Sequence, residues 1–535
     1  GTACMKAPGY FRDNRLYTLG LVLLAAGLPL SLFLTSVSQF VLAGAFLLDG
    51  GSVREKFLRF FRNKAAVALA GIWLLHVIGL AWTHDLAEGW KDVRIKLPLL
   101  VLPLIFSGQS PLSRKQFRLV ADILLLSLLA GSLVSVAVLL GWIDRPVHTV
   151  RDIFIFGISH IRFSLFLCVG VYLLADRLLR KEPAGPIARL FEFLLAVWFI
   201  VFLVIIESIT GLVILLLTAS FFLLRALFQR GRSWTKALAL IVLIAIPVVV
   251  ISTVRTAWQE TSVRHPYPIR QWEKTQYGNL YTFDLEQPTY ENGYPVNAYV
   301  CDIELREHWN KRSLHAFDST DLRNQPLRWT LVRFLASKGW RKDGRAVDAL
   351  SATEVASIEQ GVANVNDQER SSLSGRIRQI VWEFERYQQG GNPSGHSVTQ
   401  RLEFWKAAMG VIRSHPLFGT GTGDLKEAYQ AEYKRMGTQL RPEFRLRAHN
   451  QYLAVTAALG IFGLAVFLAC WIYPVFAFGK AKGLLVQAAW LITTISMLTE
   501  DTLETQAGAT FAALFISLFL FAQPGNPAEE RQEES

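Results

Sequence analysis

The chain has 535 residues, of which 52% are hydrophobic and only 18% are charged, and its formal net charge is +12. A soluble domain carries about 25% charged residues, so this composition excludes an ordinary soluble protein and indicates a polytopic membrane protein. The four cysteines form no CxxC motif and no plausible pair, which excludes a disulfide framework and a cysteine-based zinc site.

Twelve apolar runs are predicted to be transmembrane helices, because crossing a hydrocarbon core takes about 20 residues per helix. The second and fourth of these runs are short. The sequence therefore predicts an all-α polytopic membrane protein of about twelve transmembrane helices. The runs lie at residues 16–36, 37–49, 65–82, 97–108, 118–141, 161–178, 189–206, 209–228, 236–256, 451–478, 483–499 and 506–522.

The spacing of these runs divides the chain into segments. About nine transmembrane helices fall in residues 5–257 and about three in residues 449–522, with a long polar segment between them. Residues 1–4, which precede Met5, are interpreted as a remnant of an expression vector. Residues 523–535 are predicted to form a disordered cytoplasmic tail.

Lysine and arginine concentrate in alternate loops, which predicts the orientation of the chain. By the positive-inside rule these loops face the cytoplasm, and the long polar segment 258–448 then lies outside it, in the periplasm of a Gram-negative cell. The positive net charge is thus explained by topology, and a nucleic-acid partner is not predicted. The cationic loops lie at residues 6–15, 54–64, 114–118, 177–189, 225–236 and 480–482.

Two loops on the predicted outer side also carry cations, against the rule. Cations at the outer face on several helices favour binding of a phosphate or pyrophosphate. The alternatives are snorkelling to lipid headgroups and pairing with nearby acids. The cations are Lys91, Arg94 and Lys96 in residues 83–96, and Arg145, Arg151 and Arg162 in residues 142–162.

The polar segment is predicted to be an extracytoplasmic and mostly helical domain. Residues 258–320 read as irregular structure with one hairpin, and helices follow at residues 326–338, 351–363, 371–388 and 398–414. Ser351 and Glu354 have the spacing of a capping box. The sequence PLFGTGTGD at 416–424 lacks the Lys-Ser/Thr of a phosphate loop and follows a helix, so a tight turn is predicted there.

The polar segment ends by delivering a lone histidine, His449, to the start of the next apolar run. Arg441, Arg445 and Arg447 stand just before it. A base at a membrane edge beside cationic groups suits chemistry on a substrate that is half lipid and half polar. The alternative is an interfacial histidine that is hydrogen-bonded to a backbone carbonyl.

Four segments together resemble the O-antigen ligase and O-antigen polymerase superfamily, the Wzy_C-type membrane glycosyltransferases. The resemblance implies a GT-C-like helical bundle with an extracytoplasmic helical loop domain over the active site. It also implies transfer of a glycan from undecaprenyl pyrophosphate without a metal, a nucleotide sugar or another cofactor. The segments are QRLEFWKAAMGVIRSHPLFGTGTGDL at 400–425, RAHNQYLAVTAALGIFGL at 447–464, TEDTLETQAGATFAALF at 499–515 and RFSLFL at 162–167.

Within that resemblance, a neutral His449 is expected to take the proton of an acceptor hydroxyl as the hydroxyl attacks the anomeric carbon. Asn450 would orient the histidine or a sugar, and Tyr452 would pack against the sugar. The leaving pyrophosphate needs fixed cations, for which we expect Arg162 and Arg401, followed by Lys91 and Arg94. The acidic residues Glu500, Asp501 and Glu504 are read either as solvated loop charges or as a second acid and base set.

The leading functional prediction is an inverting ligase that transfers a polysaccharide to a hydroxyl of lipid A–core at the periplasmic face of the bacterial inner membrane. Its partners would be the lipid-linked donor, lipid A–core or another glycan or protein acceptor, and membrane lipids. A polysaccharide polymerase and a protein O-oligosaccharyltransferase share this chemistry and remain alternatives. A transporter is a fourth reading, but the sequence shows no internal repeat and few midplane charges beyond His76.

Overall fold

The structure is a computed structural model that describes residues 15–49, 52–145, 153–154, 156–180, 185–228, 233–284, 289–367, 373–477 and 483–524. Within these ranges the fold is helical apart from one short hairpin. The predicted vector remnant at residues 1–4 and the predicted tail from residue 525 onward lie outside the described residues.

The helices before the long polar segment are mostly apolar. In chain order they are α1 Arg15–Leu30, α2 Leu32–Leu48, α3 Val53–Arg62, α4 Lys64–Ile78, α5 Leu86–Ile95, α6 Pro98–Gly108, α7 Arg114–Leu139, α8 His160–Arg180, α9 Pro186–Ile205, α10 Ile209–Phe228 and α11 Ser233–Ser262. The polar segment then contains strands β1 Tyr290–Glu291 and β2 Tyr294–Pro295 and helices α12 Asp302–Arg312, α13 Leu327–Ser337, α14 Gly344–Asp348, α15 Ala352–Glu359, α16 Leu373–Gln388, α17 Ser397–Ser414 and α18 Leu425–Met436. The last helices are α19 Gln451–Ala477, α20 Leu484–Ser496 and α21 Gln506–Ser517.

Among the described residues, five helical segments are long and apolar enough to cross a membrane, and the bent pair α2 and α3 makes a sixth if it counts as one span. Three shorter apolar helices accompany them. The prediction of an all-α membrane protein is therefore confirmed at this coarser level. The five segments are Lys64–Trp82, Arg114–Leu139, Pro186–Ile205, Ile209–Leu227 and Gln451–Phe476, and the shorter helices are Arg15–Leu30, Leu484–Ser496 and Gln506–Ala522.

The boundary between the first two apolar helices does not lie where the hydropathy of the sequence predicts it. Ser31 is extended, at φ −161°, and its hydroxyl accepts a hydrogen bond from the Leu34 amide, so it caps the start of α2. The break therefore follows Leu30 instead of residue 36. Ser31 is a helix N-cap residue by type, and such a residue inside an apolar run marks a boundary that hydropathy alone does not detect.

The chain divides into two compact units, which are described separately. The first contains the described residues of Gly1–Arg145, Ile153–Ala219 and Arg401–Ser535, and the second those of Pro146–Asp152 and Ser220–Gln400. The stretch 401–448, which we predicted as part of the outer domain, thus belongs to the same unit as the apolar helices α1–α9 and α19–α21.

In the second unit, the hairpin forms, and so do the helices predicted at 326–338, 351–363 and 371–388. Helix α12 lies within residues 258–320, which were predicted to be irregular, and corrects that prediction. Ser351 caps α15 by accepting from the Glu354 amide while the Glu354 carboxylate accepts from the Ser351 amide, which confirms the capping box. The hairpin turns at Asn292 and Gly293, which have φ of 45° and 85°. A buried core that includes Trp309, Phe317, Leu331 and Phe334 lies beneath these elements.

In the first unit, the glycine-rich sequence at 416–424 forms a turn that docks on a break in α19. Gly460 interrupts α19 with φ 69°, and the interruption leaves carbonyl groups without helical partners. The amides of Thr420 and Gly421 donate to the carbonyls of Ala457 and Ala458, at 3.0 Å and 2.8 Å. The predicted tight turn is confirmed, and its amides are occupied by the protein itself.

Candidate active site

His449 lies at the start of α19 in a conformation that few non-glycine residues adopt. Its φ is 45°, in the left-handed region, where side chains other than glycine are strained. The ring packs against Phe404 with 5.6 Å between the ring centres, and the Trp405 indole donates to the Ala448 carbonyl at 3.0 Å. Residues of α17 therefore hold the histidine in its strained position.

The Nδ1 atom of His449 faces two carboxylates that follow α20. It lies 3.4 Å from Asp501 Oδ1 and 3.8 Å from Glu500 Oε2, which are ion-pair distances. Nε2 makes no hydrogen bond or ion pair with the part of the chain that the structure describes. This arrangement directs one ring nitrogen to the carboxylates and leaves the other available to a substrate.

These carboxylates change the protonation of the histidine. Burial alone would lower the pKa of His449, but the carboxylates of Asp501 and Glu500 outweigh it and raise the pKa to about 9. The imidazole is therefore protonated at neutral pH. The expectation of a neutral His449 did not include this effect, because the sequence did not show that two acids from another helix end would face the ring.

Each of the two carboxylates also has a cationic partner. Arg401 Nη2 lies 2.6 Å from Glu500 Oε1, and Arg447 Nε lies 3.6 Å from Asp501 Oδ2. Arg401 was predicted to hold a pyrophosphate, and the structure places it in this ion pair beside His449. Its part in substrate binding stays a prediction.

A buried ion network lies behind these pairs. Glu504 Oε2 is 2.8 Å from Lys96 Nζ and 3.1 Å from Arg447 Nη1, and Lys96 is also 2.6 Å from Asp92. The Lys96 side chain is fully buried, and Gln451 donates to Glu504 at 2.9 Å. The network joins α5, the segment before α19 and the segment after α20.

The charges of this network depend on one another. Burial raises the pKa of Asp92 to about 7, with Lys96 acting in the opposite direction. Burial also favours the neutral form of Glu504, but Lys96 and Arg447 keep the pKa of Glu504 below its usual range. The sequence analysis named Lys96 only among the outer cations that favour a phosphate, whereas the structure buries it in this ion network. The only sequence signal for that burial is its position two residues before Pro98, at the end of a helix rich in charges.

Arg162 lies in the first turn of α8, which Ser159 caps by accepting from the Arg162 amide at 3.3 Å. Its guanidinium lies near Asp501 and Glu500 without hydrogen-bonding to any of the described residues. Arg162 lines a small cleft together with Glu500, Phe166 and Phe511. The cleft thus combines an apolar wall with a cation that forms no hydrogen bond or ion pair with the described residues.

The other predicted site residues are placed as follows. Lys91 is exposed and lies 3.1 Å from Glu88, and Arg94 is exposed on α5. The Asn450 side chain accepts from the Leu453 amide and donates to the Leu498 carbonyl, which makes it a helix cap. The Tyr452 hydroxyl donates to the Thr494 carbonyl at 3.0 Å. The proposed roles of these residues at a substrate stay predictions.

His449, Glu500 and Asp501 also form a group whose ligand atoms lie within 4.8 Å of one another, a spacing that suits a metal ion. Arg401 and Arg447 already balance the two carboxylates. A divalent cation would therefore enter a site that holds two guanidinium groups and a protonated imidazole. The donor set suits a metal by geometry, but the surrounding charge opposes it.

Comparison with known protein families bears directly on this site. Residues 349–468 match the family described as O-antigen ligase, a range that contains Arg401, His449, Asn450 and Tyr452. The comparison with curated proteins finds no match. The resemblance predicted from the sequence is thereby confirmed.

Proposed function

Because residues 349–468 carry a domain of the O-antigen ligase family, we propose that this membrane protein is an inverting glycosyltransferase of the ligase type. It transfers a polysaccharide from undecaprenyl pyrophosphate to a hydroxyl of lipid A–core. The observation that carries the proposal is the juxtaposition of His449, its two carboxylates and Arg162 beside a cleft with an apolar wall.

In this proposal the acceptor hydroxyl attacks the anomeric carbon and its proton passes to Nε2 of His449 in the neutral form. Asp501 and Glu500 stabilise the imidazolium that results. A pKa of about 9 makes the imidazole a strong base, although only about 1% of it is neutral at pH 7. One displacement from the face opposite the leaving group inverts the anomeric configuration.

The bond from the anomeric carbon to the pyrophosphate breaks as the new glycosidic bond forms, and the leaving group carries away the electron pair. Arg162 supports this step because its guanidinium has no bound partner among the described residues and lies on the cleft wall. A planar guanidinium binds phosphate oxygens in pairs. Arg401 is the second cation that we propose for the pyrophosphate, and Lys91 and Arg94 are the next candidates.

The proposed setting is the bacterial inner membrane, with the active site facing the periplasm. The apolar helices support membrane insertion, and the cationic loops of the sequence support the orientation. A GT-C-like bundle of twelve spans is part of the proposal, in which the shorter and charged helices add to the five or six spans of sufficient length.

Transfer by the purified protein tests the proposal. An undecaprenyl-pyrophosphate-linked oligosaccharide would be supplied with and without lipid A–core, and the product identified by mass spectrometry. We expect glycan on lipid A–core, and its loss in His449→Ala. Lengthening of the donor without that acceptor would assign a polymerase, and transfer to a protein acceptor an oligosaccharyltransferase.

Matched variants give this experiment its controls. His308 also pairs with a carboxylate, at 2.8 Å from Asp348, but lies in the second unit, so His308→Ala should retain transfer. Arg162→Ala should weaken donor binding, whereas Arg306→Ala, which removes an exposed arginine paired with Asp318, should not. Equal effects of the two arginine changes would contradict the pyrophosphate assignment.

Metal independence is tested separately. We expect transfer to persist after treatment with EDTA, because guanidinium groups and not a metal would stabilise the leaving group. A loss of transfer that added Mg²⁺ or Mn²⁺ restores would instead assign His449, Glu500 and Asp501 as metal ligands.

A further inference from the structure

Two identical sequence patterns occur on two helices of the second unit. Trp329 and Arg333 stand four residues apart in α13, and Trp382 and Arg386 stand four residues apart in α16. Side chains at this spacing share one face of a helix. Each helix therefore presents an indole and a guanidinium side by side.

The two pairs are crossed in the structure. The Arg333 guanidinium carbon lies 3.8 Å from the centre of the Trp382 ring, and that of Arg386 lies 5.3 Å from the centre of the Trp329 ring. Both are cation–π contacts, which are attractive within about 6 Å. Each arginine thus lies over the tryptophan of the other helix, and Arg386 also lies 5.4 Å from the centre of the Trp382 ring of its own helix.

In the contact between Arg333 and Trp382, both side chains also have polar partners within the protein. Arg333 Nε also lies 2.6 Å from Glu291 Oε1, so its charge is balanced. The Trp382 indole donates to the Tyr290 carbonyl at 3.0 Å. This half of the crossed pair holds α13, α16 and the hairpin together.

The contact of Arg386 is different. Arg386 is half-buried, yet it makes no hydrogen bond or ion pair with any residue that the structure describes. Burial and the neighbouring Arg333 lower the pKa of Arg386, which shows that its charge is poorly stabilised where it lies. A guanidinium with unused donors in such a place is a receptor for an anion.

The turn that follows α16 packs closely against the Arg386 side chain. A Cβ atom on Gly391 would lie 2.5 Å from Arg386 Cγ and 3.1 Å from its Nε, so only glycine leaves room for it there. The Gly391 amide donates to the Arg386 carbonyl at 2.9 Å. The turn therefore fixes the direction of the arginine without neutralising it.

We propose that Arg386 and Trp329 form a binding site for an acidic saccharide, in which the guanidinium holds a carboxylate or phosphate and the indole packs against the sugar ring. Trp329 packs on the buried core but is partly exposed, so part of its indole beside Arg386 is open to a sugar ring. Binding of an acidic saccharide does not depend on the proposed function. Only the identification of that saccharide as the donor glycan or the acceptor rests on it.

Binding to the full chain tests this site without any transfer reaction. The protein would be purified in a detergent whose head group is not a sugar. Saturation-transfer NMR would measure the affinity for tetragalacturonate, which carries carboxylates, for glucose 6-phosphate, and for neutral maltotetraose. We expect the carboxylated or the phosphorylated sugar to bind more tightly than the neutral one, and which of them does so identifies the anionic group that the site holds.

The variants are chosen so that the protein should still fold. Arg386→Gln removes no hydrogen bond among the described residues and should weaken the acidic sugar about tenfold while sparing the neutral one. Trp329→Leu should weaken both. Arg341 also lies over an aromatic ring, 4.3 Å from the centre of the Tyr299 ring, but is paired with Glu273, so Arg341→Gln should change neither affinity.

Three results would overturn the proposal. They are equal affinity for acidic and neutral sugars, unchanged affinity in Arg386→Gln, and complete competition by anionic lipid vesicles that contain no sugar. The last result would assign the site to lipid phosphate. Because the readout is binding, loss of transfer with this binding intact would count only against the proposed function.

Discussion

At the scale of single residues, His449 combines a strained backbone with a raised pKa. Backbone strain of this kind costs about 1–3 kcal/mol and persists only where the surrounding structure enforces it. Phe404, Trp405, Asp501 and Glu500 supply that enforcement. The protein thus fixes both the direction of the imidazole and its affinity for a proton.

The raised pKa of His449 predicts how transfer depends on pH. Because the carboxylates raise the pKa to about 9, the neutral base becomes more populated as pH rises, and the rate should increase from pH 6 to about 9. The charged groups that face the His449 ring are Glu500 and Asp501. Arg401 and Arg447 pair with these two carboxylates, and Arg162 lies near them. The measurement is the rate of transfer at saturating donor across this range.

Asp501→Asn tests the cause of that pH dependence. Removing one negative charge should move the rise in rate to lower pH, because the imidazolium loses a stabilising partner. Asp318→Asn, which changes an exposed carboxylate of the second unit, is the matched control. A wild-type rise centred near pH 6.5 would show that the carboxylates do not act on His449.

The buried network predicts a large effect of Lys96. Lys96→Met leaves Asp92 without its cation and buried Glu504 with Arg447 alone, which should destabilise the protein by about 3–5 kcal/mol. Lys91→Met removes an exposed ion pair on the same helix and should change stability little. Thermal unfolding in detergent compares the two variants. Equal unfolding temperatures of the two variants would contradict the claim that the buried network stabilises the folded protein.

At the scale of secondary-structure elements, the break in α19 and the glycine-rich turn depend on each other. A Cβ atom on Gly460 would lie 2.0 Å from the Leu417 carbonyl oxygen, and one on Gly419 would lie 2.3 Å from the Ala458 carbonyl carbon. Both glycines also have positive φ. The turn and the helix approach so closely that neither position accepts a side chain.

This close approach predicts opposite effects of two glycine substitutions. Gly460→Ala should severely reduce the yield of folded protein, because both the space and the backbone conformation exclude alanine. Gly44→Ala lies in α2, where no atom is within 4 Å of the new methyl group, and should stabilise the helix by about 0.5–1 kcal/mol. Size-exclusion chromatography and thermal unfolding measure both. A well-folded Gly460→Ala protein would contradict the argument.

At the scale of the whole molecule, the distribution of cations predicts the side of the membrane on which each loop lies. Leu314 is fully exposed in the second unit, and Lys115 is exposed at the start of α7 in a cationic loop. In a protein whose native cysteines are replaced by serine, Leu314→Cys should react with an impermeant maleimide in intact spheroplasts. Lys115→Cys should react only after lysis. The reverse pattern would invert the proposed orientation.

Much of the fold could be predicted from the sequence because it depends on interactions between residues that are close in the chain. Apolar runs, the capping box at Ser351 and Glu354 and the glycine-rich turn each follow from neighbouring residues. The boundary at Ser31 was missed because hydropathy averages over a single polar residue. The number of spans remains part of the proposal, since short and charged helices do not reveal by composition alone whether they cross a membrane.

The sequence by itself determined the class of the protein, the approximate elements and His449 as the centre of the candidate site. Only the tertiary structure decided what surrounds that histidine. Glu500, Asp501 and Lys96 lie far from it along the chain, and a charge acts on a pKa through distance in space. For the same reason the sequence suggested a neutral base, whereas the folded protein places two carboxylates at Nδ1 of the ring, which favours the protonated imidazole.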